Sequence, residues 1–384
     1  MIFRCGGEMK RLCIYVTYDF ENIIDDYIGC VLKELRKVID YLVVVCNYEY
    51  IAKGVENVQP YADKIYYREN KGFDAGAYKD VLCRHLSWDE ICKYDEMLLV
   101  NDSFYGFVYP IENMIHTMKK AGTDYWGITR APCGKLEDGY WYDTHIQSYF
   151  WAFRKNVLKS AWFRQFWSEL EYPYTLNQTV KGYELGLNYF LKQHGFKGTA
   201  LTDMGHLNCI FKEKENPYML YSLELMRDLK VPIIKRTSFY LTNKGFGNAL
   251  KALQYIEMHK MYHSELIKKH MFRISQSLQN QGMLNLLSLK KFHEKYKNIY
   301  FYGAGVYGHN LALLFDYMGW QFTGFMVTDI KNQTEKCLEF NKVELGDCDA
   351  VIISVADKRT CVQILELIKR RYAMDQILSP NFIR

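Results

Sequence analysis

Apolar segments that alternate with helix-patterned segments are the feature that most limits what this chain can fold into. LCIYVTYD, YLVVVCN and MLLV are near-continuous apolar runs typical of strands buried on both faces, and DDYIGCVLKELRKVI has apolar residues at helical spacing. Parallel strands need crossover connections, usually helices, which cover both faces of the sheet. The pattern therefore predicts an α/β fold with a doubly wound, Rossmann-like and mainly parallel sheet.

The same pattern divides the 384 residues into three regions. Residues 10–245 are expected to form a large α/β domain, residues 246–297 a helical linker region, and residues 298–384 a second, small Rossmann-like domain. The Lys- and His-rich middle region is compatible with helices packed on a domain and also with a helix lying on a membrane surface. The first eight residues are predicted to be a tail.

Composition narrows the classes of function. A net charge of +5 is too small for the basic stripe of a nucleic-acid-binding protein, but it suits anionic substrates or an anionic membrane surface. Eleven cysteines without a CxxC pair indicate reduced, mostly buried thiols. No apolar run reaches the roughly 18 residues that span a bilayer. We expect a cytoplasmic protein without a nucleic-acid partner, and peripheral attachment to the inner face of the membrane stays open.

The segment YDEMLLVNDSFYG delivers Asn101, Asp102 and Ser103 at the carboxyl end of an apolar strand. Ligands of open α/β sheets bind beyond these strand ends. A carboxylate there can hold a divalent metal such as Mg or Mn against a diphosphate, which makes Asp102 the candidate metal ligand. An ordinary Asx turn explains the same residues about equally well.

A glycine-rich segment, RENKGFDAGAYKDVL, follows a predicted strand and precedes a helix predicted over 77–85. Gly72 and Gly76 let backbone N–H groups approach a phosphate, and Asp74 between them can accept hydrogen bonds from a base or a sugar. The alternative is a tight turn with Asp74 near an N-cap position.

Two further segments carry polar groups suited to a sugar. THIQSYFWAFRKNVL, predicted to be a strand entering a helix, places His145, Gln147 and Tyr149 on one face, although a lone His is more often structural. KGYELGLNYFLKQHG places Glu184 at the start of a helix that ends at Gly195. There a carboxylate can act as a general base or can simply complement the helix dipole.

The last region opens with GAGVYG, which fits GxGxxG between a strand and a helix. Gly303, Gly305 and Gly308 form the motif, and Asp329 ends the next strand as the candidate ribose acceptor. Fewer than 90 residues remain for this unit, about half of a dinucleotide fold. An accessory nucleotide site and an interaction module are both open.

Five segments in order resemble the rhamnan synthesis protein F family of bacterial glycosyltransferases: VTYD, ENKGFDAGAYKDVL, LLVNDSFYGFVYP, HIQSYFWAFRK and GYELGLNYFLKQHGFKG. The resemblance covers about residues 10–245 and leaves GAGVYG outside. It implies a GT-A-type fold and transfer of a sugar, often rhamnose, from a nucleotide-sugar donor to a growing glycan or lipid-linked glycan.

The resemblance also implies roles for individual residues. Asn101-Asp102-Ser103 stands where GT-A enzymes carry their DxD motif, with Asn and Ser in place of the two Asp residues. Glu184 stands about where a helix-borne carboxylate is the base in inverting members. The expected catalytic residues are Glu184, Asp102 and His145. The implied donor-binding residues are Tyr18, Asp19, Asn70, Gly72, Asp74, Gly76, Asn101, Ser103 and Gln147.

The sequence thus favours a glycosyltransferase of surface or capsular polysaccharide synthesis. Two alternative functions stay open. One is a NAD-dependent sugar-nucleotide oxidoreductase led by GAGVYG, although no Tyr-x-x-x-Lys pair for hydride transfer accompanies it. The other is a non-catalytic assembly protein that only binds sugar nucleotides.

Overall fold

The structure is a computed structural model that describes residues 9–380 apart from 137, 204–216, 278–282 and 331–336. The chain divides into two compact units. The first is Met1–Pro217 with Glu224–Ile234, and the second is Tyr218–Leu223 with Lys235–Arg384. The predicted tail lies outside the described residues, and the helices predicted within 246–297 belong to the second unit.

An eight-stranded sheet forms the centre of the first unit. The strands of this unit are β1 Arg11–Thr17, β2 Tyr41–Cys46, β3 Lys64–Tyr67, β4 Glu96–Asn101, β5 Phe104–Gly106, β6 Tyr125–Ala131, β7 Gly134–Lys135, β8 Trp141–Tyr142, β9 His145–Ile146, β10 Phe150–Arg154, β11 Gly198–Asp203 and β12 Ile233–Lys235, whose last residue falls in the second unit. The sheet order is β11-β6-β10-β4-β1-β2-β3, with β9 paired to β6. Only β9 and β10 run antiparallel to their neighbours, so the sheet is mainly parallel as predicted.

Helices connect these strands. They are Asp26–Leu35, Phe73–Asp80 with its π-helical continuation Val81–His85, Trp88–Ile91, Ile111–Lys120, Lys155–Leu158, Ala161–Glu169, Leu176–Thr179, the π-helical Val180–Leu185 and Gly186–Gln193. Two more, Pro217–Leu220 and Ser222–Arg227, lie where the chain passes between the units. Every residue of β1 is buried, and β4 is buried except at Asn101. This burial on both faces is why residues 12–16 of β1 and 97–100 of β4 are almost all apolar.

The structure differs from the sequence-based expectation at two places near the sheet edge. The helix after β3 begins at Phe73 instead of residue 77, because Gly72 adopts φ of 77° and lets the chain enter the helix early. Gly76 therefore lies inside the helix, where a Cβ would come within 2.2 Å of the Lys71 carbonyl oxygen. The strand predicted from residue 144 is interrupted by a turn at 147–149, which separates β9 from β10.

The second unit contains a five-stranded parallel sheet. Its strands are β13 Asn298–Tyr302, β14 Gly324–Val327, β15 Leu338–Glu339, β16 Asp349–Ile353 and β17 Ile377–Leu378, and its longer helices are Phe246–His259, Ser264–Ser277, Leu286–Lys295, Val306–Met318 and Lys358–Ile368. The sheet order β15-β14-β13-β16-β17 is Rossmann-like. Asn310 donates from its amide to the carbonyls of Leu241 and Asn243, which ties the helix after the glycine turn to the start of the helical region.

Cysteine burial corrects one expectation. Of the nine cysteines in the described ranges, all are free, but only Cys13, Cys46 and Cys361 are buried. The thiols are therefore not mostly buried. Separately, none of the helices in the described parts of the chain combines the length and the apolar character needed to cross a bilayer.

A buried ion pair lies at the amino end of the first sheet. Arg11 and Glu96 are 7% and 2% exposed, and Arg11 Nε donates to Glu96 Oε2 at 2.7 Å. Trp126 Nε1 donates to the other carboxylate oxygen at 2.8 Å. The paired strands β1 and β4 place these two charges opposite each other, since Arg11 and Glu96 are register partners.

We expect Glu96→Ala to lower the free energy of unfolding by about 3–5 kcal/mol, because it leaves Arg11 as an unpaired buried charge. Urea unfolding followed by tryptophan fluorescence measures the change. Lys192→Ala is the control, since Lys192 and Asp143 form an exposed pair whose loss should cost about 1 kcal/mol or less. Equal effects of the two substitutions would contradict a structural role for the buried pair.

Candidate active site

The carboxyl ends of β1 and β4 meet at one edge of the first sheet, since Val16 and Asn101 are register partners. Asp102 follows β4 and is 8% exposed. Its Oδ2 accepts hydrogen bonds from Thr17 Oγ1 at 3.1 Å and from the Tyr18 backbone N–H at 3.0 Å. The Asp102 side chain thus holds the two strand ends together.

The contacts of Asp102 bear on its predicted role as a metal ligand. Among the residues that the structure describes, no three His, Cys, Asp or Glu side chains are grouped so that they could hold a metal ion. Two protein donors already bind Asp102 Oδ2. The described residues therefore do not build a three-ligand metal site by themselves, and the role of Asp102 as a single metal ligand stays a prediction.

A chain of hydrogen bonds links the glycine-rich segment to the end of β4. Asn101 Nδ2 donates to Asp74 Oδ2 at 2.9 Å, and Asn101 Oδ1 accepts from the N–H and the Oγ of Ser103 at 3.1 and 2.7 Å. An amide can donate to one neighbour and accept from the other, which a carboxylate at position 101 could not do. Burial raises the pKa of Asp74, and the hydrogen bond from Asn101 opposes that rise.

Glu184 lies in the π-helical turn Val180–Leu185, with its side chain 16% exposed. His145 Nε2 lies 3.1 Å from Oε1, and Ser148 donates to Oε2 from its backbone N–H at 2.7 Å and from its hydroxyl. Burial by itself raises the pKa of Glu184, but the hydrogen bonds and charge of His145 together with Ser148 outweigh it, so the pKa is lowered. Glu184 is therefore an ionised carboxylate at neutral pH.

Asn188 fixes the position of the segment that carries His145 and Ser148. Its Oδ1 accepts from the Ile146 N–H at 3.0 Å, while its Nδ2 donates to the Ile146 carbonyl and to the Glu184 carbonyl, each at 2.8 Å. One amide thus joins β9 to the helix that bears Glu184. The sequence interpretation missed Asn188 and Ser148, although Asn188 is four residues after Glu184 and so lies on the same helical face.

A pocket of about 110 Å³ opens beside Glu184. His145, Gln147 and Glu184 line it together with Tyr142 and the segment Ala131–Cys133. Gln147 accepts a hydrogen bond from Thr129 Oγ1 at 2.9 Å. The structure therefore brings together the three polar residues that were predicted from two separate segments.

Asp74, a predicted donor-binding residue, and Glu184, the predicted base, interact electrostatically. The charge of Glu184 is one of the causes that raise the pKa of Asp74. The remaining predicted donor residues lie in different settings. Tyr18 is 40% exposed and its ring stacks on Tyr48, whereas Asp19 accepts the N–H groups of its own loop. The side-chain oxygen of Asn70 is buried and has no hydrogen-bond partner among the residues that the structure describes.

The residues of the glycine motif lie in the second unit. Gly303 adopts φ of 122°, and a Cβ on Gly308 would come within 2.1 Å of the Gly303 carbonyl oxygen. Gly308 is thus needed for close packing of the turn on its helix. A Cβ on Gly305 would meet only open space, and Asp329 is exposed just after β14.

The profile of the family described as Rhamnan synthesis protein F matches residues 42–312, which is more than half of the chain. The match begins later than residue 10 and extends past residue 245 to include Gly303–Gly308. The expectation that the glycine motif lies outside the resemblance is therefore wrong.

A curated relative is the uncharacterized protein y4gN of Sinorhizobium fredii (strain NBRC 101917 / NGR234). It is 23% identical over 202 residues, which are 52% of this chain and 47% of the relative. The chain thus spans about half the length of this relative.

Two solved structures are also similar to this chain. One is 4-diphosphocytidyl-2C-methyl-D-erythritol synthase from Anaerococcus prevotii DSM 20548, with 15% identity, coverage of 51% of this chain and 89% of that one, and a TM-score of 0.29. The other is core-mannan synthase A from Aspergillus fumigatus in its Mn/GDP form, with 9% identity, coverage of 49% and 71%, and a TM-score of 0.29. Scores of this size carry no argument about function.

We expect Ser148→Ala to raise the pKa of Glu184, because the variant lacks one of the donors that stabilise the carboxylate. A lowered folded-state pKa contributes stability above the unfolded pKa of about 4.3, and this contribution is lost as the pH falls through the folded-state value. The variant should therefore be about 1–3 kcal/mol less stable at neutral pH, with a smaller difference in acid. Denaturant unfolding across pH measures this, with Ser160→Ala as control. A pH-independent difference would contradict the coupling to Glu184.

Proposed function

Since this chain belongs to the rhamnan synthesis protein F family, we propose that it is a glycosyltransferase that moves a sugar from a nucleotide-sugar donor to a glycan acceptor. The observation that carries the proposal is the position of the Glu184 carboxylate, which contacts His145 and Ser148 and lines the pocket together with His145 and Gln147. Rhamnose is the first candidate sugar, and a growing surface polysaccharide, free or lipid-linked, is the first candidate acceptor.

The donor is proposed to bind at the edge formed by Tyr18, Asp74 and Asn101. Asp74 is partly exposed and can accept hydrogen bonds from hydroxyl or base N–H groups. Asn101 fixes the orientation of Asp74 through the 2.9 Å hydrogen bond. Asp102 has an indirect role in this proposal, since it positions the Tyr18 backbone.

Glu184 is proposed to take the proton of the acceptor hydroxyl. The hydroxyl oxygen attacks the anomeric carbon, the bond from that carbon to the diphosphate oxygen breaks, and the nucleoside diphosphate leaves with the electron pair. A single displacement of this kind inverts the configuration at the anomeric carbon. His145 is a positioning residue here, since it orients Glu184 and stabilises its charged form.

The charge that develops on the leaving group needs a positive partner. Two basic residues near this edge are engaged elsewhere. Arg68 donates to Asp80, Asn47 and the Lys71 carbonyl, and Arg130 contacts Asp203 and the Gly198 carbonyl. Lys71 is exposed directly before Gly72, with its Nζ 5.2 Å from the centre of the Tyr172 ring, and we propose that it meets the diphosphate.

The second candidate function is nucleotide binding by the second unit. The parallel sheet order and the glycine turn with its open Gly305 favour it. This observation also keeps the sugar-nucleotide oxidoreductase as the rival function. A non-catalytic sugar-nucleotide-binding protein is the third possibility, and turnover separates it from the first.

A panel of nucleotide sugars tests the proposal. The whole protein should release nucleoside diphosphate from at least one donor, faster when an acceptor glycan is present. Reduction of NAD in the presence of sugar nucleotides and release of pyrophosphate from nucleoside triphosphates are followed in parallel. NAD turnover would replace the proposal by the oxidoreductase, and donor binding without any turnover would favour the assembly protein.

We expect Glu184→Gln to lower the transfer rate by at least about 100-fold, because the amide cannot accept the acceptor proton at neutral pH. Donor affinity, measured by calorimetry, should change little. Glu169→Gln, which alters an exposed carboxylate on another helix, is the matched control. Full activity of Glu184→Gln would assign Glu184 to a structural role.

A further inference from the structure

The helices of the second unit line an open cavity of about 680 Å³ that the proposed reaction does not use. It lies among the helices Phe246–His259, Ser264–Ser277, Leu286–Lys295 and Val306–Met318, and all of its lining residues belong to this unit. Cavities of this size hold ligands of drug-like dimensions. The cavity is therefore large enough for a specific ligand.

Positive charge is concentrated around this cavity. Residues 246–297 contain nine Lys and Arg against three Glu and no Asp, a net charge of +6, whereas the whole chain carries only +5. Four of these cations, Lys268, Lys269, Arg273 and Lys290, line the cavity. A concave surface lined by an excess of one charge concentrates ligands of the opposite charge.

The acidic residues of the cavity have partners within it. Glu257 and Glu265 both pair with Lys268, and the Tyr317 hydroxyl donates to Glu257 at 2.8 Å. Lys268 thus forms ion pairs with both carboxylates of the cavity. The other cations of the lining are Lys269, Arg273 and Lys290, so its charged side chains are four cations and two carboxylates.

One part of the lining is apolar. Phe272, Leu287 and Met318 line the cavity, and Leu287 is 46% exposed. Cations beside an exposed apolar wall fit a ligand that has both an anionic head and a hydrocarbon part. A soluble phosphate has no apolar part to contact this wall. The apolar wall therefore favours a lipid over a free anion.

We propose that this cavity binds the phosphate-bearing head of an anionic lipid. The phosphate lies against Lys269, Arg273 and Lys290, and the first part of the hydrocarbon lies against Phe272 and Leu287. This site would attach the second unit to an anionic membrane surface. The proposal does not depend on the glycosyltransferase activity, so the two can fail separately.

Vesicle flotation tests the proposal with the whole protein. The protein should float with vesicles of phosphatidylcholine mixed with phosphatidylglycerol and should not float with phosphatidylcholine alone. Added salt should weaken the binding, since surface charges are screened. Failure to bind the mixed vesicles overturns the proposal.

Lys290→Glu and Lys291→Glu separate a lipid site from general charge attraction. Both residues lie on the helix Leu286–Lys295 and both substitutions change the charge equally, but only Lys290 lines the cavity. We expect Lys290→Glu to weaken vesicle binding by about tenfold or more and Lys291→Glu by about twofold or less. Equal losses overturn the proposal. Near-UV circular dichroism checks that both variants are folded.

Leu287→Ser and inorganic pyrophosphate distinguish a lipid from a free phosphate. Leu287→Ser should weaken vesicle binding, while Leu313→Ser, which changes a comparably exposed leucine outside the cavity lining, should not. Pyrophosphate should compete weakly. Tight pyrophosphate binding with unchanged vesicle binding in Leu287→Ser would overturn the lipid assignment in favour of a soluble phosphate ligand.

Discussion

The parallel pairing of β1 with β4 is the constraint on which the candidate active site depends. It places Thr17 and Tyr18 next to Asn101 and Asp102 at the same edge of the sheet. The strand β10 pairs antiparallel with β4 and brings the turn before it to this edge, where Asn101 N–H donates to the Tyr149 carbonyl at 3.1 Å. Residues from distant parts of the chain thus meet because the register of these strand pairs brings their ends to the same edge.

The acidic side chains at the two ends of β4 have different kinds of partner. At the amino end, Glu96 pairs with the full positive charge of Arg11. At the carboxyl end, Asp102 and Asp74 accept hydrogen bonds from neutral groups, which stabilise a carboxylate without cancelling its charge. The amino end is therefore suited to stability, and the carboxyl end keeps polar groups that a ligand can use.

The two units carry different chemistry. In the first, carboxylates and amides of the sheet edge are held in fixed positions by short hydrogen-bonded links. In the second, the helices between residues 246 and 297 carry more positive charge than the whole chain has in net terms. An extended family match from residue 42 to 312 includes residues of both units, so the helical region and the glycine turn belong to the family pattern along with the first domain.

The sequence by itself determined the elements that depend on local pattern. Apolar runs located β1, β2 and β4, and the same runs pointed to Asp102 at a strand end. Periodicity could not identify the hydrogen-bond partners of Glu184, because Ser148 and His145 are 36 and 39 residues away along the chain. It also missed the early start of the helix at Phe73, which depends on the positive φ of Gly72. Local pattern reports burial and helix or strand preference, whereas partner and register are decided only when distant segments pack together.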